Sequence, residues 1–245
     1  MLEGPWLRHR AEADELMDDL ASGGEELREA HVHLRRLNKL FAASAPTLYG
    51  VNRLWRQAGC PEELSILDVG AGSGDVNRRL LDWSAKHGVR MRITLLDVTE
   101  EACEEAALYY RDEPRVEVRR DDVLKLPSGC ADIVTGTQFL HHFQGERLHE
   151  VVGSMVRASR YGVVINDIHR HWLAWIAVWL AARLVSRNRY IRHDGPLSVA
   201  KGFRPSDWRS LEAAAGSGEL LYRWRPLFRY AVMIRKDGGG YADGL

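Results

Sequence analysis

Short β-type runs alternating with helix-type stretches over residues 65–166 predict an α/β fold built on a parallel sheet covered on both faces. Two further observations complete the outline. The first run passes directly into a glycine-rich turn, and the C-terminal part changes to two runs joined by a short link, which favours an antiparallel hairpin. Five parallel strands closed by an antiparallel pair are therefore expected.

Residues 1–60 show helical spacing and no strand pattern. Glu12–Leu20 is acidic, and Glu25–Phe41 places Leu27, Val32, Leu34, Leu37, Leu40 and Phe41 near helical spacing. Tyr49–Ala58 continues with Val51, Leu54 and Trp55. The strand candidates are Ser65–Val69, Arg92–Asp97, Val116–Arg119, Asp132–Gly136 and Tyr161–Asn166. Helices are expected between them over Asp75–His87, Glu100–Tyr110 and Glu146–Ser159. Leu220–Trp224 and Tyr230–Lys236 form the hairpin, linked by Arg225–Arg229, and Gly238–Gly240 reads as a frayed tail.

A chain of 245 residues suits one domain with a small cap, and 45% hydrophobic with 28% charged residues excludes wholesale disorder. Lys+Arg and Asp+Glu both number 34, so the net charge of zero argues against a dedicated nucleic-acid binder. Cys60, Cys103 and Cys130 are widely spaced and odd in number, which suggests free thiols in a reducing cytoplasm and no zinc site. Residues 1–10 lack the apolar core of a secretory leader, and no run of 18 apolar residues is present. A cytoplasmic location is expected.

The strongest chemical signal is Ile66–Asp75, in which a strand turns through Gly70, Gly72 and Gly74 before a helix begins. Glycines permit positive φ and close ligand approach. The spacing is GxGxG, and Asp75 stands where a dinucleotide fingerprint has its third glycine. An acid there repels a pyrophosphate, and Asp68 adds further negative charge. The loop therefore suits a cationic or zwitterionic ligand. Asp97 ends the second strand, where a carboxylate can accept ribose hydroxyls. Asp122 follows the third, where an Asp can accept from an adenine amino group, although neighbouring Asp121 is an alternative.

As an ordered set, Asp68/Gly70/Gly72/Gly74, Asp97, Asp122–Pro127 and Asp132 to His141-His142 resemble the class I S-adenosylmethionine (SAM) dependent methyltransferases over about residues 62–166. The resemblance implies a Rossmann-like, seven-stranded, mostly parallel sheet of order 3-2-1-4-5-7-6 with an α-helical cap. It divides the chain into an N-terminal helical cap at 1–60 and a SAM-binding domain at 61–245, with a cap insertion at about 167–200. It implies SAM as cofactor and S-adenosylhomocysteine (SAH) as product. Asp68, Gly70, Ala71 and Gly72 would line the methionine end, Asp97 the ribose, Val98 the adenine face, and Asp122 with Val123 its amino edge. Thr137 would present its backbone to the methionine moiety.

Transfer to a phenol or enol needs its proton removed, for which histidine is best tuned near neutral pH. The candidates are His141, His142, His169, His171 and His193, with His142 favoured for its place after the fourth strand and His193 for its neighbour Asp194. Arg192–Pro196 reads as a turn. His141 and His142 are adjacent, so their rings are expected to diverge, and no metal is expected. Trp172–Val185 is apolar almost all round, with Trp172, Trp175 and Trp179 on one face and arginines following. It reads as a buried cap helix, as a lid over a greasy acceptor pocket, or as a peripheral membrane contact. Asn38 and Tyr49 are further acceptor-contacting candidates. Met17-Asp18-Asp19, Leu37-Asn38, Asn166–Arg170 and His193–Ser198 also resemble small bacterial methyltransferases of the quinone-biosynthesis type, which accompany type III polyketide synthases. This resemblance implies a hydrophobic small-molecule acceptor, methylated on a phenolic oxygen or alternatively on a carbon of a quinone or aromatic ring; a non-catalytic SAM-binding scaffold is the rival reading, against which the intact Asp97 and three glycines argue.

Overall fold

The computed structural model describes residues 7–18, 24–216 and 218–236. Asp19 and the expected glycine tail at 238–240 lie outside them. Fifteen helices and strands follow in chain order: α1 (Glu25–Leu40), α2 (Ser44–Gln57), β1 (Glu63–Val69), α3 (Arg78–His87), β2 (Arg90–Asp97), α4 (Glu100–Tyr109), β3 (Val116–Arg120), β4 (Ala131–Thr137), α5 (Gly145–Ala158), β5 (Ser159–Ile168), α6 (Trp172–Val185), α7 (Arg189–Lys201), α8 (Pro205–Ser210), β6 (Glu219–Arg225) and β7 (Arg229–Arg235).

The sheet order is β3-β2-β1-β4-β5-β7-β6, as the resemblance implies. Only β7 runs against its neighbours. Side-chain alternation along each strand makes two cores. On one face Leu67, Val134 and Val163 pack with Val152 and Met155 of α5 and with Trp208 of α8. On the other, Ile66, Ile133 and Val164 pack with Leu54 of α2, Leu81 of α3 and Ala106 of α4. The central strands are buried on both sides, which is why their sequences read as near-continuous apolar runs. Reversal of the winding between β1 and β4 opens a crevice at the carboxyl ends of the strands, where such sheets bind ligands.

The N-terminal helices divide their work. α1 packs with α6 and α7 through Leu27, Ala30, Leu37, Ala182, Tyr190 and Ile191, forming a roof over the crevice. α2 lies on the sheet instead. Gly50 allows that approach, because a Cβ there would collide with the Val164 side chain. Tyr49 therefore belongs to the sheet-packing layer, with Arg225 stacked 4.3 Å from its ring centroid.

Two local expectations change. Arg192–Pro196 is helical and lies within α7, with Pro196 inside the helix. Burial of Ile191, Asp194 and Val199 outweighs the backbone hydrogen bond that Pro removes. On α6 the outward stripe consists of Leu173, Ile176, Leu180 and Leu184, not the tryptophans. Trp175 packs beside Ile168 and Val178 and stacks on Trp179. Arg183 covers Trp179 at 3.8 Å. Among the described residues no helix is long and apolar enough to cross a membrane.

Candidate active site

The turn after β1 is set by backbone conformation. Gly70, Gly72 and Gly74 all have positive φ, at 60°, 55° and 67°. Gly70 is restricted twice, since the Phe139 ring also fills the space a Cβ would need. Two bonds staple the loop to the end of β2: Ala71 N donates to Leu96 O (3.1 Å) and Gly72 N to Asp97 Oδ2 (2.9 Å). Asp97 Oδ1 in turn accepts from Thr99 N and Oγ1 at 3.1 and 3.0 Å, holding the start of α4.

Asp68 is wholly buried and accepts from Thr135 Oγ1 and Asn77 Nδ2, both at 2.6 Å. Burial pushes its pKa up to about 6 against these bonds, with the charges of Asp75 and Asp97 adding to the rise. Burial also raises Asp75, against bonds from Asn38 and Ser73. The loop is thus a concentration of carboxylates whose ionisation is disfavoured until a cation arrives.

A cavity of about 650 Å³ extends from this loop beneath the roof. Asp68, Gly70, Ala71, Gly72, Asp97 and Val98 all line it. So do Asp122, Val123 and Thr137. Asp122 accepts from Leu124 N at 3.0 Å and shapes its turn, whereas Asp121 pairs with Arg119 and is not on the cavity wall. Thr137 exchanges a 2.8 Å hydrogen bond with Thr47 of α2.

Beyond β4 lies a buried charged cluster. His141 Nδ1 donates to Asp167 Oδ1 (2.7 Å), and its Nε2 faces Glu15 Oε1 (3.5 Å). Lys201 Nζ stands 3.6 Å from the same Glu15 oxygen. Burial alone would lower the His141 pKa, but Asp167 and Glu15 raise it to about 10. Glu15 is held at about 2 by His141, His142 and Lys201 despite the opposing effect of burial. His141 is therefore an imidazolium fixed between two carboxylates, not a titrating base.

His142 also lines the cavity. Contrary to the expected divergence, its ring lies on that of His141, with centroids 4.2 Å apart and planes 32° apart. The tight turn Leu140–His142 brings the two side chains together. Glu15, His141 and His142 each offer a ligand atom within 4.8 Å of the others, a geometry with metal-binding reach.

The other predicted residues separate cleanly. Asn38 lines the cavity and heads a relay: its Nδ2 donates to Asp75 Oδ1 (3.1 Å) and its Oδ1 accepts from Gln138 Nε2 (2.8 Å). Gln138 Oε1 then accepts from Arg229 Nη2 (3.2 Å). His193 is half-exposed, bonds Asp194 and lies off the cavity wall. Tyr49 is also absent from that wall, as are Trp172, Trp175 and Trp179, because α6 presents Ala174, Ala177 and Val178 inward. At 100° per residue the tryptophans stand well round the helix from that face. His171 caps α6 by accepting from Leu173 N, and His169 packs against Tyr230. Sequence reading missed Glu15, Gln138, Asp167 and Arg229. Gln138 directly follows Thr137 and had a positional signal; the others meet only through tertiary packing.

Residues 66–162 match the family model described as a methyltransferase domain. No curated protein matches the sequence. Among solved structures, the plantazolicin methyltransferase BpumL in complex with SAH aligns with TM-score 0.65 at 13% identity, covering 91% of this chain and 95% of that one. Human N-acetylserotonin methyltransferase in complex with SAM gives 0.62 at 14%, covering 88% of this chain and 57% of that one. The methyltransferase domain of the citrinin polyketide synthase gives 0.54 at 14%, covering 72% and 47% respectively, so the chain spans about half the length of these last two. At these identities the likeness is one of fold. The chain has the Rossmann-like fold of the SAM-dependent methyltransferases it aligns with, and the match of residues 66–162 to a methyltransferase domain implies SAM as the cofactor.

Proposed function

We propose that this enzyme transfers the methyl group of SAM to a phenolic oxygen of a hydrophobic small molecule. The observation that carries the reading is one cavity joining an acidic glycine loop to an apolar roof. The loop fits the cofactor on charge: Asp68, Asp75 and Asp97 concentrate negative charge where SAM brings a sulfonium and an ammonium, and where a diphosphate would be repelled. Asp68 and the Gly70–Gly72 backbone would hold the methionine end, Asp97 the ribose, and Val98, Asp122 and Val123 the adenine.

When bound, SAM supplies an electrophilic methyl carbon. The chain's part is alignment, exclusion of water and one proton transfer. Leu37, Phe41, Val178 and Ile191 form apolar walls for the acceptor. His142, on the wall, is placed to take the phenolic proton. His141 positions it through ring contact, with centroids 4.2 Å apart. The structural neighbours include the DszA carbon methyltransferase and a putative O-methyltransferase from Nostoc punctiforme, and the same base would serve an enolic carbon acceptor.

Calorimetric titration with SAM, SAH and NADH tests the site, and turnover of alkylated phenols tests the acceptor class. Micromolar binding of SAM and SAH with none of NADH is expected. Binding of NADH alone would overturn the reading.

A further inference from the structure

We propose that Arg229 is an anion site within the acceptor cavity, and that the natural acceptor is a hydrophobic acid whose oxyanion lies close to the atom that is methylated. This rests on the methyltransferase reading above and specifies its substrate class.

Arg229 opens β7, is 6% exposed and lines the cavity. Among the described residues its guanidinium has one acceptor, Gln138 Oε1, while its buried Nε and Nη1 have none. Asp167 acts on it electrostatically, but the Asp167 oxygens are engaged by His141 Nδ1, His141 N and Ile168 N at 2.7, 3.2 and 2.8 Å. A buried charged donor without an acceptor is costly. Burial lowers the Arg229 pKa to about 10, so the group is still cationic at neutral pH.

Arg170 shows how this fold treats a structural arginine. It is 3% exposed, and its guanidinium donates to Leu7 O, Gly202 O and Asp207 Oδ2 at 3.1, 2.6 and 3.1 Å. Arg229 is just as buried and lacks those partners. Among the described residues, the only other arginine on the cavity wall is Arg147, which pairs outward with Glu150. Arg229 is thus the one wall cation whose charge is not matched by a bonded acid.

Position gives the acceptor its shape. β4, β5 and β7 are neighbours, so Arg229 stands two strand spacings, about 10 Å, from the end of β4. Gln138 bridges that gap directly, next to Thr137 at the proposed donor end. An oxyanion held by Arg229 therefore lies near the reacting atom. Ile168, Leu227, Phe228 and Val178 around it suit an alkyl or aryl body. Carboxylates and acidic enols share this chemistry.

The test is calorimetric titration of protein saturated with SAH, using three probes: 2-hydroxy-6-pentylbenzoate, the acidic enol 4-hydroxy-6-pentyl-2-pyrone, and neutral 3-pentylphenol. Wild type is expected to bind at least one acid about tenfold or more tightly than the phenol, the scale of one charge-assisted hydrogen bond. The acid preferred identifies the oxyanion source. Arg229→Met is expected to abolish the preference, and Arg229→Lys to retain part of it. Equal binding of acids and phenol by wild type overturns the proposal, as does binding of none of the three or a preference that survives in Arg229→Met. The wild-type comparison decides even where a variant fails to fold. Failure of SAH itself to bind overturns the methyltransferase reading instead.

Discussion

Asp97→Ala removes a carboxylate with two tasks. In the protein alone it accepts from Gly72 N at 2.9 Å and from Thr99 N and Oγ1 at 3.1 and 3.0 Å. Asp97 lines the cavity, and those bonds take three of its roughly four acceptor sites, so a pair of ribose hydroxyls uses the one left on Oδ2 and one given up by Thr99 Oγ1. Two ribose hydroxyls bonded there contribute about 1.5 kcal/mol each at the low end for hydrogen bonds to a charged group, or about 3 kcal/mol together. That corresponds to a loss of about 150-fold in SAM affinity. Release of the Gly72 and Thr99 donors loosens the loop and adds to the loss. Calorimetry on wild type and variant reads the effect directly, and denaturant unfolding of both separates loop stability from binding. Adenosine should lose affinity with SAM, whereas 2′,3′-dideoxyadenosine should be nearly insensitive. SAM affinity unchanged in a folded Asp97→Ala variant would refute the ribose assignment.

His142→Ala is expected to lower kcat by about 10²-fold or more while SAM affinity stays at the wild-type value, the scale of a lost general base; calorimetry and steady-state kinetics check it, and unchanged kcat would make His142 structural. Asp167→Asn should destabilise the fold by about 3–5 kcal/mol, because it strands the buried His141 charge. Stability from the wild-type cluster should be fullest between the unfolded values of Glu15 and His141, 4.5 and 6.5. It should decline as pH rises through about 10, where His141 loses its proton, and as pH falls toward about 2, where Glu15 gains one. Denaturant unfolding across pH measures both limbs, and a flat alkaline limb would contradict the imidazolium. Asp68, raised to about 6 in the free protein, should ionise when the cofactor's cation binds. SAM affinity should therefore weaken as pH falls through 6, with proton release measurable by titration in buffers of different ionisation enthalpy.

The sheet and its ligand loop were legible because they rest on local signals. Strands β1, β2, β4 and β5 announce themselves by apolar runs and β3 by alternation, and the glycine turn with Asp97 and Asp122 follows at fixed chain positions. Even there the ends ran long: β5 reaches Ser159 and Ile168 because it pairs with both β4 and β7, which no local pattern reveals. The acceptor end was less legible. Trp172, Trp175 and Trp179 share a helix face, but which face turns inward is decided by packing of α6 on α1 and α7. Arg192–Pro196 carries turn residues, yet burial holds it helical. Glu15, Asp167 and Arg229 lie far apart in sequence, and only the folded chain brings the first two around His141.

The most direct test of the central claim supplies methyl-tritiated SAM to the purified protein together with an organic extract of small molecules enriched in alkylated phenols. The account predicts label passing into the organic phase in step with SAH formation, and no label in added RNA or protein. Label confined to RNA or protein, or SAM left intact under every acceptor fraction, would contradict it.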